Sequence, residues 1–251
     1  LAWLMYQFIQ DTPNKSHTKA QAEDPVTILE SLKTILTSKQ AWINALYAGF
    51  LFGPTAVIGE AIGPAYLQFG RGFNAHAAAF ATGLIFIGWG IGGPLTGWLS
   101  DKMGRRKPFM IGTAICGVTL TSIFIFIPDF TQTQAYLLFF VFGLTNTGVA
   151  IAYAVSTEIH KPKVIGTSIA FTNMISIFVG ASLQPFVGFL VDLVAGERGY
   201  NLELLKLSDF QYGLQILPIC SLIALVLALF VKETYCRHVL ADAIAEGKPI
   251  A

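Results

Sequence analysis

Six long apolar blocks stand out from the polar stretches between them, at about 41–69, 78–99, 107–127, 135–157, 165–192 and 211–231. They are rich in Gly and other small residues, and none alternates with the period of two that a barrel strand needs. Lipid offers no hydrogen bonds to a bare backbone. A chain crossing about 30 Å of hydrocarbon therefore does so as helices of about 20 apolar residues or as a closed barrel. The pattern predicts an all-α, polytopic helical membrane protein with six transmembrane helices. Blocks 41–69 and 165–192 exceed the length a crossing needs, which predicts tilt, a break at Gly or Pro, or an end beyond the lipid.

Ahead of the first block, Leu1–Ile9 is a short apolar stub that looks like the end of a preceding helix, and 10–24 is a polar linker. Asp24-Pro25 can serve as N-cap and first-turn proline of a short helix with Ile28, Leu29, Leu32, Ile35 and Leu36 on one face. That helix is expected to lie along the membrane surface; the other reading is linker throughout. The chain then divides into 1–40 (helix end and cytoplasmic central linker), a transmembrane domain at 41–231, and a cytoplasmic tail at 232–251.

Composition sharpens the class. Hydrophobic residues make up 54% and charged residues only 12%, against about 25% charged in soluble proteins, which excludes a soluble globular enzyme. The net charge of +1 gives no nucleic-acid footprint. The positions of the cations are more informative. Lys15, Lys19, Lys33, Lys39, Lys102, Arg105, Arg106, Lys107, Lys161, Lys163, Lys232, Arg237 and Lys248 fall on one side of the threading, and Arg71, Arg198 and Lys206 on the other. By the positive-inside rule both ends of the six-helix block are cytoplasmic, in a plasma or bacterial inner membrane. Cys116 and Cys220 lie in apolar runs and Cys236 in the polar tail, so they read as reduced packing residues.

The second block ends Pro94-Leu-Thr-Gly97-Trp-Leu-Ser-Asp101 and the fifth ends Pro185-Phe-Val-Gly188-Phe-Leu-Val-Asp192, both P-x-x-G-x-L-x-D, offset by 91 residues. With the threading above, one copy ends at the cytoplasm and the other outside. Units 41–127 and 135–231 are then a 3+3 inverted repeat, as transporters built from repeats have. Asp192 itself reads as a cap or an interhelical pair.

The loop after the second block reads Gly97-x-x-x-Asp101-Lys102-x-Gly104-Arg105-Arg106-Lys107 and resembles the loop motif of the major facilitator superfamily, G-x-x-x-D-(R/K)-x-G-R-(R/K). Gly97 allows close helix approach, Asp101 and the Arg cluster can pair across helix ends, and Gly104 permits a tight turn, which together suit a gate. A plain cytoplasmic anchor accounts for the cations but not for the Gly and Asp spacing. The resemblance implies twelve helices in two halves. Stub, linker and Phe230-Val-Lys-Glu-Thr234, similar to the exit of helix 12, match the C-terminal half, helices 7–12. It also implies an N-terminal six-helix half as partner, beside the lipid bilayer.

Ionisable groups inside a span are functional candidates. Glu60 sits between Gly53-Pro54 and Gly63-Pro64, in the helix that resembles cavity-lining helix 7. Partly desolvated there, a carboxylate can take up and release a proton and so couple protons to a small-molecule solute. A water-facing carboxylate near the outer mouth is the other reading. Asn146, Asn173 and Gln184, with Tyr47 and Tyr153, are candidates to hydrogen-bond the solute. Asn44, Thr172 and Trp89 share their depth, and for every residue of this group bonding or packing between helices is the alternative. Glu158 and His160 read as a solvated helix end, with pairing of Glu158 to the Arg cluster as the alternative. No nucleotide-binding, metalloprotease or hydrolase motif occurs, so no cofactor, metal or enzymatic activity is expected. The reading is secondary active transport by alternating access, as proton symport. The alternatives are a non-transporting sensor or scaffold of the same fold, or an exporter.

Overall fold

The computed structural model describes residues 27–237. The stub, the linker, the Asp24-Pro25 cap and the far tail lie outside them. Among the described residues all regular structure is helical, and six helices are long and apolar enough to cross a membrane. They run Lys39–Ala61, Ala75–Met103, Lys107–Phe126, Gln132–Glu158, Pro162–Gly199 and Leu207–Phe230, matching the six apolar blocks in order.

Short helix α1 (Ile28–Thr37) starts at Thr27, which forms a reciprocal capping box with Glu30. Bonds from the Thr27 backbone N–H, then from its hydroxyl, hold the Glu30 carboxyl below the ordinary glutamate range. Of the predicted apolar stripe only Ile35 is buried; Ile28 and Leu29 are 85% and 76% exposed. The stripe is real but most of it faces outward. Ser38 closes α1 and caps α2 (Lys39–Thr55).

The first span begins as α2 and continues without interruption into a π-helical stretch, Ala56–Ala61. It bends at Ile62 and ends in a single turn, Gly63–Ala65, followed by a second π-helical stretch, Tyr66–Gly70. A Cβ at Gly63 would lie 2.0 Å from the Ile58 carbonyl oxygen, so no other residue fits the bend. The second span is α3 (Ala75–Met103), capped by Asn74 and ended by left-handed Gly104, φ +63°. The third is α4 (Lys107–Phe126). The fourth is split into α5 (Gln132–Thr145) and α6 (Gly148–Glu158) by non-helical Asn146 and Thr147. The fifth contains α7 (Ile165–Ala195), whose 31 residues rise about 46 Å at 1.5 Å each, beyond the hydrocarbon thickness. The sixth is α8 (Leu207–Leu214) and α9 (Ile216–Phe230), hinged ahead of Pro218, whose ring nitrogen cannot bond the preceding turn.

The first span sits innermost: 72% of its apolar window is buried, against 33% for the second and 22% for the fifth. It packs against α7 and α9, while α3 packs against α5, and α4 against α5, α6 and α9. First-with-fifth and second-with-fourth are matched interfaces under exchange of the two three-span units. The match extends to single residues. Cβ atoms on Gly88 and Gly92 of α3 would lie 2.4 and 2.2 Å from backbone oxygens of Phe140 and Leu144 on α5. On the other interface, Cβ atoms on Gly49 and Gly53 of α2 would lie 2.9 and 2.4 Å from side-chain carbons of Val179 and Leu183. Adding 91 to 88 and 92 gives 179 and 183, and adding it to 49 and 53 gives 140 and 144. The same four places touch, with glycine on opposite partners. The offset read from P-x-x-G-x-L-x-D is thus also the offset of the helix packing.

Candidate functional site

The first span is irregular where its polar neighbours meet it. Pro54 cannot donate to the carbonyl one turn back, yet the helix does not unwind there; it widens into the π-helical turn at Ala56–Ala61. Such widened turns expose backbone oxygens and recur at functional sites. Two backbone oxygens, one ahead of the turn at Leu51 and one at its start at Ala56, are taken from neighbouring spans. Asn146, at the break between α5 and α6, donates Nδ2 to the Leu51 carbonyl at 3.1 Å and to Thr55 Oγ1 at 2.8 Å. Gln184 of α7 donates Nε2 to the Ala56 carbonyl at 3.3 Å and to Glu60 Oε2 at 3.2 Å. Asn146 is buried and Glu60 exposed in this chain, so Glu60 and Gln184 stand on an open face and Asn146 behind it. The expected break at Gly53-Pro54 is therefore a widening of the helix, and the desolvation expected at Glu60 is absent from this chain alone.

Tyr153 and Asn173 form a second pair between the fourth and fifth spans, with the Tyr153 hydroxyl 2.8 Å from Asn173 Oδ1. Asn173 is exposed and Tyr153 half-buried. Tyr47 behaves differently. It is fully buried, its hydroxyl 3.1 Å from the Met110 carbonyl and 3.0 Å from Thr113 Oγ1. A Cβ at Gly148 would lie 2.3 Å from that hydroxyl, so the start of α6 is fitted around it. Asn44 is equally buried and donates to the Ala152 carbonyl at 2.8 Å. Tyr47 and Asn44 thus take the role of bonds between helices. Trp89 packs edge-on against Phe52, ring centroids 6.3 Å apart, joining the two largest apolar clusters.

One end of the bundle is closed by charge. Buried Arg106, between α3 and α4, places Nη1 2.6 Å from Asp101 Oδ1 and Nη2 2.7 Å from Glu158 Oε1. It also donates Nε to both Glu158 oxygens at 3.1 and 3.3 Å and Nη1 to Ser100 Oγ at 3.0 Å. Burial opposes the Arg106 charge, but the bonds and charge of Glu158, then Asp101, outweigh it and raise the guanidinium pKa. Glu233 adds a strap from the C-terminal segment, accepting from the Arg106 N–H at 2.8 Å and the Lys107 N–H at 3.1 Å, the start of α4. Thr234 donates to Glu158 Oε2 at 2.5 Å. Four parts of the chain meet here: the ends of the second, third and fourth spans and residues 233–234.

Several expectations change at this end. Glu158 is 5% exposed and is the main partner of Arg106, rather than a solvated helix end. A buried guanidinium requires acceptors, and the fourth span's last turn supplies them. The Asp101 pairing predicted for the Arg cluster is made by Arg106 alone; the Arg105 side chain is exposed and Lys102 lies 5.0 Å over the Trp98 ring. A Cβ at Gly97 would meet nothing within 4 Å, so within this chain close approach of α3 comes from Gly88 and Gly92 instead. Gly104 makes the predicted tight turn, its N–H bonding the Asp101 carbonyl at 3.1 Å. Nearby, His160 is 7% exposed with Nδ1 3.1 Å from Ser168 Oγ and Nε2 unpartnered.

At the opposite end, Arg71 donates to the Pro128 carbonyl, to the Tyr66 hydroxyl at 2.9 Å and to the Phe124 carbonyl at 3.1 Å, capping the end of α4. Tyr66 donates to that same Phe124 carbonyl. Arg198 grips buried Asp209 with two bonds of 2.8 and 3.2 Å. Among the described residues Asp192 has no ion-pair partner, and the ion pair at this end is Arg198–Asp209.

The sequence profile described as Major Facilitator Superfamily matches residues 1–185 of the chain. The chain belongs to that superfamily. The match carries most of the chain and includes the Arg106 loop, the π-helical first span and the fourth-span break. The chain is also 27% identical over 122 residues to a protein of Escherichia coli (strain K12) described as "Inner membrane metabolite transport protein YhjE". That alignment covers 47% of this chain and 27% of the relative, well under two thirds of the relative's length. As a superfamily member the chain is a multi-pass transporter-family protein and not an enzyme. Among the described residues its polar groups hold helix ends together and lie at the mid-span irregularities. Glu233, Thr55, Thr113 and Arg71 carry much of this and were not singled out in the sequence. Glu233 lies inside the helix-12-like exit and Arg71 among the outer-side cations, while Thr55 and Thr113 had no signal there.

Proposed function

We propose that the chain is the C-terminal six-helix half of a secondary transporter that moves a small metabolite with protons, as a symporter, by alternating access. The Glu60–Gln184 contact carries the reading. It joins the widened turn of the first span to the fifth span, on an exposed face, with Asn146 bracing the helix just ahead of that turn from the fourth. The Tyr153–Asn173 pair extends that face. Glu60 is the proton-coupling group, and Gln184, Asn173 and Tyr153 orient the solute, with Asn146 positioning the turn. Tyr47 has no part in solute contact on this reading. The 91-residue correspondence of the two glycine interfaces supports two three-span units at 41–127 and 135–231, in inverted topology.

The Arg106–Glu158–Asp101 cluster is the gate on the cytoplasmic side, with Gly97, Lys102, Gly104 and Arg105 as the rest of its loop. The cation asymmetry supports that orientation, with both ends of the six-helix block inside the cell. The exposed faces of the second and fifth spans support an N-terminal half packed against them. Their members correspond by the same offset: Phe86 with Ile177, Gly90 with Ala181, Gly97 with Gly188. On one face of each helix Gly90 and Gly97, and Ala181 and Gly188, allow another helix close approach.

The test is solute-driven proton uptake by the full-length protein in proteoliposomes, over sugars, organic acids and amino acids, with Glu60→Gln in parallel. Proton uptake with one solute class, abolished in Glu60→Gln, is the expected result. Solute accumulation without proton movement removes the coupling role of Glu60 and leaves transport standing. No flux of any solute in either direction overturns the transport reading in favour of a sensor, and solute-driven proton movement of opposite sign makes it an exporter.

A further inference from the structure

Two cavities open beside the Arg106 cluster where α4 meets the C-terminal segment. One, of about 500 Å³, is lined by Arg105, Lys107, Pro108, Ile111, Glu233 and Tyr235. The other, of about 330 Å³, is lined by Gly104, Thr234, Tyr235 and Arg237. Tyr235 is common to both. We infer that these adjoining cavities bind the headgroup of an anionic phospholipid from the adjacent leaflet, with its phosphate held between Arg105, Lys107 and Arg237.

Charge is the first ground. Arg105 and Arg237 are exposed, and neither guanidinium has a hydrogen bond or ion pair among the described residues. Lys107 spends one proton on the Leu229 carbonyl at 2.6 Å and keeps two. Among the described residues the one carboxylate in the lining is already engaged: Glu233 accepts from the N–H groups of Arg106, Lys107, Thr234 and Tyr235, at 2.8 to 3.3 Å. The described lining is therefore cationic on its open side, with Glu233 turned to the start of α4. Basic pockets of this kind at a helix end suit phosphate-bearing headgroups.

Position decides between a lipid and a free phosphate. The floor of the larger cavity is apolar, from Pro108 and Ile111, and one turn further along α4 Ile115 is 49% exposed. That gives the start of the acyl chains an apolar surface along the first turns of α4, from Pro108 to Ile115. Trp98, Met103 and Tyr235, each more than half exposed, stand at the same end, where interfacial aromatic residues anchor to headgroups. A bound lipid would lie against the segment that straps Glu233 and Thr234 onto the Arg106 cluster.

The test is native mass spectrometry of the full-length protein in detergent, titrated with cardiolipin, phosphatidylglycerol or phosphatidylethanolamine, with inorganic phosphate as competitor. Retention of the anionic lipids over phosphatidylethanolamine is expected. Arg105→Gln with Arg237→Gln should weaken it about 30-fold, about fivefold for each cation removed. Arg237→Gln alone, which breaks no bond described above, should give the fivefold loss with thermal stability unchanged and so guards against misfolding of the double variant. Lys102→Gln, a cation at the same end but outside both cavities, should change retention little. Equal retention of neutral and anionic lipids overturns the proposal, as does an equal loss in Lys102→Gln, which would mean diffuse surface attraction. Displacement by millimolar inorganic phosphate would overturn the lipid assignment in favour of free anion.

Discussion

Arg106 is the residue on which the closed end depends. Its guanidinium reaches Glu158, Asp101 and Ser100 while its backbone N–H holds Glu233. Removing one partner of a buried pair leaves the other uncompensated, at a cost of about 3–5 kcal/mol. Arg106→Gln should lower thermal stability in detergent accordingly, and adding Glu158→Gln should restore part of it; a double-mutant cycle on unfolding midpoints measures the coupling. His160 makes this end pH-sensitive. Burial, opposed in part by a bond to the Ser156 backbone, pushes its pKa below the ordinary 6.5. A depressed pKa means that the folded state favours neutral imidazole. Stability is then fully present above pH 6.5 and falls as the pH drops through the folded-state value. Thermal unfolding at descending pH should show this loss in the native protein and a smaller one in His160→Gln.

Between helices, the decisive positions are glycines whose Cβ would strike backbone. At Gly143 a Cβ would lie 2.0 Å from the Ile85 carbonyl oxygen, which no rotamer change relieves. Gly143→Ala should force α3 and α5 apart and cost about 1–3 kcal/mol, read as a lower unfolding midpoint and a smaller folded fraction on size exclusion. Gly97 provides the contrast. With nothing within 4 Å of its Cβ, Gly97→Ala should leave the unfolding midpoint of this half unchanged. Its effect should be on solute flux, because on the proposed reading Gly97 faces the other half. A loss of stability in Gly97→Ala of the Gly143→Ala size would contradict that placement.

For the whole molecule, the proposed reading gives exposure within this chain two causes: lipid and a second six-helix half packed against it. Phe86, Ile177, Ile219 and Val226 are 46%, 53%, 48% and 46% exposed, close to equal. Nitroxide labels at the four positions of the full-length protein, probed with oxygen dissolved in the membrane, should distinguish them. Ile219 and Val226 of α9 should be accessible, and Phe86 and Ile177, paired by the offset of 91, should be protected. Equal accessibility at all four would remove the packed second half from the proposal.

The sequence by itself determined the class, the six spans and the repeat offset. Apolar length is enforced by the bilayer, which acts on each helix separately, and P-x-x-G-x-L-x-D is a local pattern. It also supplied Gly104 as a turn residue and the loop that identifies the superfamily. Only the tertiary structure decided which polar residues meet. Glu60 and Gln184 are 124 residues apart, Arg106 and Glu158 are 52, and Arg106 and Glu233 are 127. No periodicity links such positions. The same holds for Tyr47, whose depth suited a solute contact as well as an interhelical bond until the rotation of the first span turned it toward α4. It holds again for Gly97 against Gly88: both are glycines on one helix, and the neighbour that each face receives is set by how the six spans assemble.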